Sequence, residues 1–106
     1  MTNEATSGAL DHLKVLDLSR VLAGPYCAQM LADLGADVIK VERPGEGDDT
    51  RKWGPPFMPD AEGKPTKHAT YYHGTNRNKR AITVDIAKPE GQAIIRQIAA
   101  QSDIVV

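Results

Sequence analysis

The chain has 106 residues, with 13 Lys and Arg against 14 Asp and Glu and a formal charge of -1. That length holds one small domain, and the balanced charge removes any global reason to expect a nucleic-acid or anionic-membrane partner. The single cysteine, Cys27, excludes an intrachain disulfide, and its apolar helical setting predicts a buried, inert thiol.

Residues 1–12 (MTNEATSGALDH) read as a flexible polar lead-in without the apolar core of a signal peptide. No apolar run reaches the roughly 20 residues that span a membrane, so the cytoplasm is the default location. Lys14 to Leu18 alternates and is rich in Val and Leu, which predicts a strand. A loop runs from Ser19 to Gly24. Pro25 then suits the first helical position, where its missing N–H costs nothing. Ala28, Leu31, Ala32 and Gly35 fall on one side of the helix, with Met30 and Leu34 widening the stripe. Gly35 stops the helix, and Asp37 to Glu42 forms the next strand. Two parallel strands joined by a helix make a βαβ unit with a right-handed crossover.

Residues 43–70 differ in character, holding five of the seven prolines in PGEGDD, WGPPFMPD and AEGKPT. A loop of this length is unusual inside a compact domain, and Trp53 and Phe57 offer anchors that a plain linker does not need. Ala69 to His73 starts a short helical turn, followed by a basic cluster of Arg77, Lys79 and Arg80. That cluster reads as a phosphate contact or a solvated loop rather than a nucleic-acid surface. Ala81 to Ile86 is a third strand. Pro89 opens a helix with Ala93, Ile94, Ile98 and Gln101 on one face and Ile95 and Ala99 beside it. Ser102 to Val106 begins a fourth strand. Ending there on two valines, the chain reads as part of something longer: residues 13–106 are expected to be a partial Rossmann-like domain truncated at its C-terminal end.

In open α/β sheets, ligands sit outside the carboxyl ends of the strands. That places Asp17 to Gly24, Glu42 to Gly47 and Ile86 to Pro89 together, beside the anion-favouring N-terminus of the first helix. Arg20 and Arg43 add positive charge to the same rim. The loop SRVLAGP lacks G-x-G-x-x-G, and Arg20, Val21, Leu22 and Ala23 carry side chains where a pyrophosphate would press on glycine. Glu42 stands where ribose-binding acids sit, and Arg43 after it suits a phosphorylated ribose. Coenzyme A carries such a ribose.

The run VLDLSRVLAGPYCAQMLADLGADVIKVERPGEGDDTR, with NRNKRAITVDIAKPEG and SDIVV after it, resembles the opening of the class III coenzyme A transferases. This is the formyl-CoA and carnitine-CoA transferase (CaiB/BaiF) family. The likeness covers nearly the whole chain from Leu13 onward. It implies an α/β fold, a Rossmann-like parallel sheet flanked by helices, forming the N-terminal part of a larger CoA-transferase subunit that interlocks as a homodimer. It implies coenzyme A contacts at Val21, Leu22, Ala23 and Arg43, with Val84, Ile86 and Ala87 lining the adenine side. Family members can carry a lysine where this chain has Ala87, and neighbouring Lys88 is the substitute. Leu22 stands where the formyl-CoA enzymes have a glutamine, which suits a less polar acyl group.

The resemblance also implies the reaction. An aspartate attacks the acyl thioester to give a mixed anhydride, and the released CoA thiolate converts it to an aspartyl thioester. A second carboxylic acid then takes up the coenzyme A. No aspartate of this chain matches that nucleophile, so no catalytic residue is assigned and the 106 residues alone are expected to be inactive. Asp17 and Asp85, nearest the expected site, take structural or capping roles. Acyl-CoA and a carboxylic acid acceptor are the expected partners, with no covalently bound cofactor, no metal, no nucleic acid and no membrane. Alternative readings are an α-methylacyl-CoA racemase of the same superfamily, a non-catalytic nucleotide-binding module, and an NADP-dependent oxidoreductase. The missing glycines count against the last.

Overall fold

Val15 and Leu16 are adjacent, apolar and both buried. Neighbours on a strand point to opposite faces, so the strand carrying them must be covered on both sides. The structure, a computed structural model, describes residues 8–106. Its elements run β1 (Lys14–Asp17), α1 (Ala23–Asp33), β2 (Asp37–Glu42), a 3-10 turn (Asp49–Lys52), β3 (Phe57–Pro59), β4 (Pro65–Ala69), α2 (Thr70–Asn76), β5 (Arg80–Thr83), α3 (Pro89–Ala100) and β6 (Ile104–Val105).

Four strands form one sheet in the order β5-β2-β1-β6, and every pairing in it is parallel. Val15 and Val38 pack with Ala28 and Ala32 of α1 on one face. Leu16, Val41 and Val84 pack with Ile95, Ile98 and Ala99 of α3 on the other. The expected parallel sheet flanked by helices is therefore present. Its central strands are apolar on both faces because each face meets a helix.

Gly35 ends α1 with φ +106, its N–H bonding to the Ala32 carbonyl and the Ala36 N–H to that of Leu31. This is a Schellman closure. A side chain at Gly35 would also meet the Cα of Gly8 at 2.9 Å. Of the expected lead-in, residues 1–7 lie outside those described. The segment after them is tied down, with the Leu10 N–H on the Leu34 carbonyl at 2.9 Å and Leu10 packed against the α1 core.

Several expectations need correction. Helix α1 starts at Ala23, which puts Pro25 at the third helical position rather than the first. Its buried stripe is Pro25, Ala28, Gln29 and Ala32, whereas Met30 and Leu34 are exposed. The inward residue is polar: Gln29 Oε1 accepts the Arg77 N–H at 3.1 Å. Cys27 is exposed, not buried, because the stripe turns away from it. On α3, Ile95 and Ile98 face the core and Ile94 does not. The long segment after β2 is structured: it carries the 3-10 turn and an antiparallel β3–β4 hairpin. Trp53 packs edge-on against Tyr71 of α2, ring centroids 5.3 Å apart. Strand β5 ends at Thr83, which releases Val84 to Ala87 as a turn. Among the described residues no helix is long and apolar enough to cross a membrane.

Candidate functional site

The loop between β1 and α1 is held from beneath at several backbone atoms. Asp17 Oδ1 accepts the Ser19 N–H at 2.9 Å and also contacts the Ser19 hydroxyl. Lys40 Nζ donates to the Ser19 carbonyl at 3.3 Å. Asp48 accepts the Val21 N–H at 3.3 Å, and Lys79 Nζ donates to the Pro25 carbonyl at 2.9 Å. Gly24 completes the closure, since a side chain there would meet Ser19 Cβ at 2.2 Å. Val21 has φ +77. A β-branched residue in that region is strained by about 1–3 kcal/mol and persists only where its surroundings hold it.

The groups that hold this loop are buried charges. Lys40 Nζ pairs with Asp48 Oδ2 at 2.8 Å, with side chains 1% and 0% exposed. Lys79 Nζ pairs with Asp17 Oδ2 at 2.8 Å, equally enclosed, and also donates to Asn76 Oδ1 at 2.8 Å. Burial pushes the Lys79 ammonium below its ordinary value, with Asp17 opposing that shift. Burial alone would raise Asp48, but Lys40 and the Thr50 N–H and hydroxyl outweigh it and hold the carboxyl below the usual range. Among the described residues no buried side-chain polar atom lacks a partner, as buried polar networks require.

Glu42 sits where a dinucleotide site needs a free acid, and it is not free. The Arg51 fork reaches both carboxylate oxygens at 2.7 and 2.6 Å, the Asp48 N–H donates at 2.8 Å and the Tyr72 hydroxyl at 3.1 Å. Burial works to raise Glu42, and these donors hold it low. The Arg51 guanidinium lies 3.9 Å from the Tyr72 ring centre. Burial and the Glu42 charge push the Tyr72 hydroxyl up, which keeps it a neutral donor. A ribose hydroxyl finds no vacant lone pair on Glu42, so the ribose-binding role expected of this acid is not met.

Above these groups lies a cleft of about 530 Å³ at the carboxyl ends of β1, β2 and β5. Leu18, Ser19 and Arg20 form one wall, Val41 to Arg43 and Gly47 to Asp48 the floor and rim, and Val84 to Ala87 the opposite wall. Four of the sequence-nominated residues, Arg43, Val84, Ile86 and Ala87, thus line one space. Val21, Leu22 and Ala23 lie at the loop tip and start of α1, outside that lining. Leu22 is 48% exposed. Arg43 Nη2 holds Asp49 Oδ1 at 2.5 Å, and Arg20 Nη1 lies 3.9 Å from the same carboxylate. Lys88 is exposed at the α3 N-cap and does not line the cleft.

The basic cluster divides: Arg77 and Arg80 are exposed, as a solvated surface expects, and only Lys79 is enclosed. Arg77 pairs with Asp33 and Arg80 with Asp37, each at 2.8 Å, while Lys79 is the buried ion described above. Asp85 Oδ1 accepts the Ala87 N–H at 3.0 Å, a turn-capping role. Sequence reasoning missed Lys40 and Asp48. One signal was readable: the alternation of β2 puts Lys40 on the same face as buried Val38. The other was Asp48-x-Thr50, the residue pattern of an N-cap.

A parallel α/β sheet with a cleft outside its strand ends is the arrangement in which such folds take ligands. The chain belongs to CoA-transferase family III, whose family model matches residues 10–106. It is 55% identical over 97 residues to a succinate–glutarate CoA-transferase of Agrobacterium fabrum, across 92% of this chain and 24% of the relative. It is 54% identical over 97 residues to the succinyl-CoA:glutarate CoA-transferase of Homo sapiens, across 92% of this chain and 20% of the relative. A solved CAIB/BAIF family protein from Brucella suis aligns with a TM-score of 0.82 at 55% identity, across 93% of this chain and 25% of that one. The chain therefore spans about a quarter or less of the length of these relatives.

Proposed function

We propose that this chain forms the coenzyme A-binding part of a transferase that moves coenzyme A between carboxylic acids. The observation that carries the reading is the 530 Å³ cleft, with apolar Val84, Ile86 and Ala87 on one wall and Arg20 and Arg43 at its rim. Such a cleft is of ligand size, apolar with a few convergent polar groups. The adenine packs on Val84 to Ala87. Arg43 and Arg20 exchange Asp49 for the ribose phosphate, a charge-assisted contact that an arginine fork suits. Val21, Leu22 and Ala23 meet the rest of the cofactor from the loop tip.

The relatives' names point to short dicarboxylates, namely succinate, glutarate and mesaconate. We assign donors and acceptors of that class to the parent protein; their second carboxylate is charged, so the less polar acyl group expected from Leu22 forms no part of this reading. An aspartate outside these residues supplies the nucleophile. Its carboxylate attacks the thioester carbonyl, giving an acyl–aspartyl anhydride and CoA thiolate. The thiolate then attacks the aspartyl carbonyl, releasing the first carboxylic acid and leaving an aspartyl-CoA thioester. On family likeness, the parent works as an interlocked homodimer in the cytoplasm, and this chain by itself transfers nothing.

Calorimetric titration of the folded chain with coenzyme A and with its dephospho form tests the reading. Coenzyme A is expected to bind more tightly, and Arg43→Ala to weaken it about tenfold, as loss of one charged contact does, while erasing the preference. No binding of coenzyme A, or equal affinity for both ligands, overturns it.

A further inference from the structure

The loop that reaches the proposed ligand contains a residue in a conformation it does not adopt freely. Val21 is β-branched and has φ +77. Its N–H points down onto Asp48, at 3.3 Å from Oδ1 and 3.4 Å from Oδ2. Asp48 is itself held at both carboxylate oxygens and at its amide. Lys40 holds Oδ2 at 2.8 Å, the Thr50 N–H and hydroxyl hold Oδ1 at 3.0 and 2.9 Å, and the Asp48 N–H is fixed on Glu42 at 2.8 Å. The next residue, Asp49, holds Arg43 on the rim. One rigid turn therefore touches both halves of the ligand-facing surface, the loop tip from inside and the arginine from outside.

We propose that Asp48 is the positioning residue of the coenzyme A site: through the Val21 amide it holds the loop in its left-handed turn, and Lys40 keeps it in place to do so. This rests on the coenzyme A reading above. Asp48 belongs to the cleft floor, but its carboxylate is fully enclosed and acts on the loop rather than on the ligand. It prearranges a loop that otherwise relaxes to φ below zero and turns its tip away, so that ordering is complete before binding. The charge pair is retained for geometry, since a buried ion pair is weak evidence for stability.

The test is a double-mutant cycle between Asp48→Asn and Val21→Gly. Glycine adopts positive φ freely, so it removes the need for the anchor. Asp48→Asn is expected to weaken coenzyme A binding about tenfold with Val21 present, the loss expected for a charged hydrogen bond. In the Val21→Gly background the same change is expected to cost less than threefold. Amide hydrogen exchange at position 21, read by NMR without ligand, is expected to speed up at least tenfold in Asp48→Asn while the β2 amides hold. If Asp48→Asn alone unfolds because Lys40 is left unpaired, Lys40→Met/Asp48→Asn takes its place in the cycle.

Equal losses in both backgrounds, or unchanged exchange at position 21, overturn the proposal. So does unfolding of both replacements, which makes the pair a plain support of the sheet. Failure of the unsubstituted chain to bind coenzyme A contradicts the functional reading instead, and the exchange measurement then still decides the role of Asp48.

Discussion

Beneath the same helix α1, the two ends of the β1–β2 pair are built from opposite chemistry. Toward the amino ends, Val15 and Val38 meet Ala28, Ala32 and Ala36 in an apolar cluster. Two residues further along each strand, on the same face, stand Asp17 and Lys40, directly opposite each other in register. They do not pair with each other. Asp17 takes Lys79 and Lys40 takes Asp48, and each pair reaches out to a backbone atom of the loop above. The apolar end stabilises by burial alone, which is non-directional. The charged end gains little net stability from ions taken out of water. Its hydrogen bonds are directional, and they fix where a loop goes. A sheet can thus be stable at one end and specify geometry at the other.

Breaking the charged end by half is expected to have the largest effect. Lys40→Met leaves Asp48 buried without its counter-ion, which costs about 3–5 kcal/mol, read as the urea midpoint. Replacing both members as Lys40→Met/Asp48→Asn is expected to recover most of that stability but not the coenzyme A affinity. If the double replacement is no more stable than the single one, the contrast between the two ends fails. Leu16→Ala, on the purely apolar α3 side, is expected to cost roughly 3 kcal/mol. In that variant the affinity of the remaining folded molecules should be unchanged. A parallel loss of affinity would show that the apolar core also positions the site.

The smallest effect is that of pH. Glu42 and Asp48 are held below their ordinary carboxylate values in the folded chain. Between the folded and unfolded values the unfolded chain binds more protons, so stability rises with pH there. The contribution is complete above the unfolded values, near pH 4–5, and is lost as pH falls through the depressed folded ones. Unfolding midpoints across this range should fall less steeply for Lys40→Met/Asp48→Asn than for the unsubstituted chain. Identical slopes would remove Asp48 from the acid response.

The apolar end was legible in the sequence and the charged end was not, for a physical reason. Val15, Leu16, Val38 and Val41 follow a local pattern, and Pro89 and Gly35 mark helix ends by their own backbone chemistry. Val21 and Asp48 meet across 27 residues, and Lys79 and Asp17 across 62. No local period reports such a contact. Gln29 spoiled the reading of the α1 face because an inward glutamine resembles an outward one until its partner, the Arg77 N–H, is known. The β3–β4 hairpin escaped because Pro59 and Pro65, paired in its register, read as strand breakers. At the candidate site, Arg43, Ile86 and Ala87 followed from their place at the strand ends as well as from family likeness, and Val84 from family likeness alone, while the groups beneath the loop needed the fold.

The central claim is that the cleft at the strand ends receives coenzyme A while the loop tip stays as Asp48 sets it. Backbone amide shifts of the isotopically labelled chain, followed by NMR during coenzyme A titration, test it most directly. The account predicts shifts at Ser19 to Ala23, Arg43 and Val84 to Ala87, with the β3–β4 hairpin and the outer face of α3 unmoved. Shifts centred on the hairpin or on α3, or none at saturating coenzyme A, would contradict it.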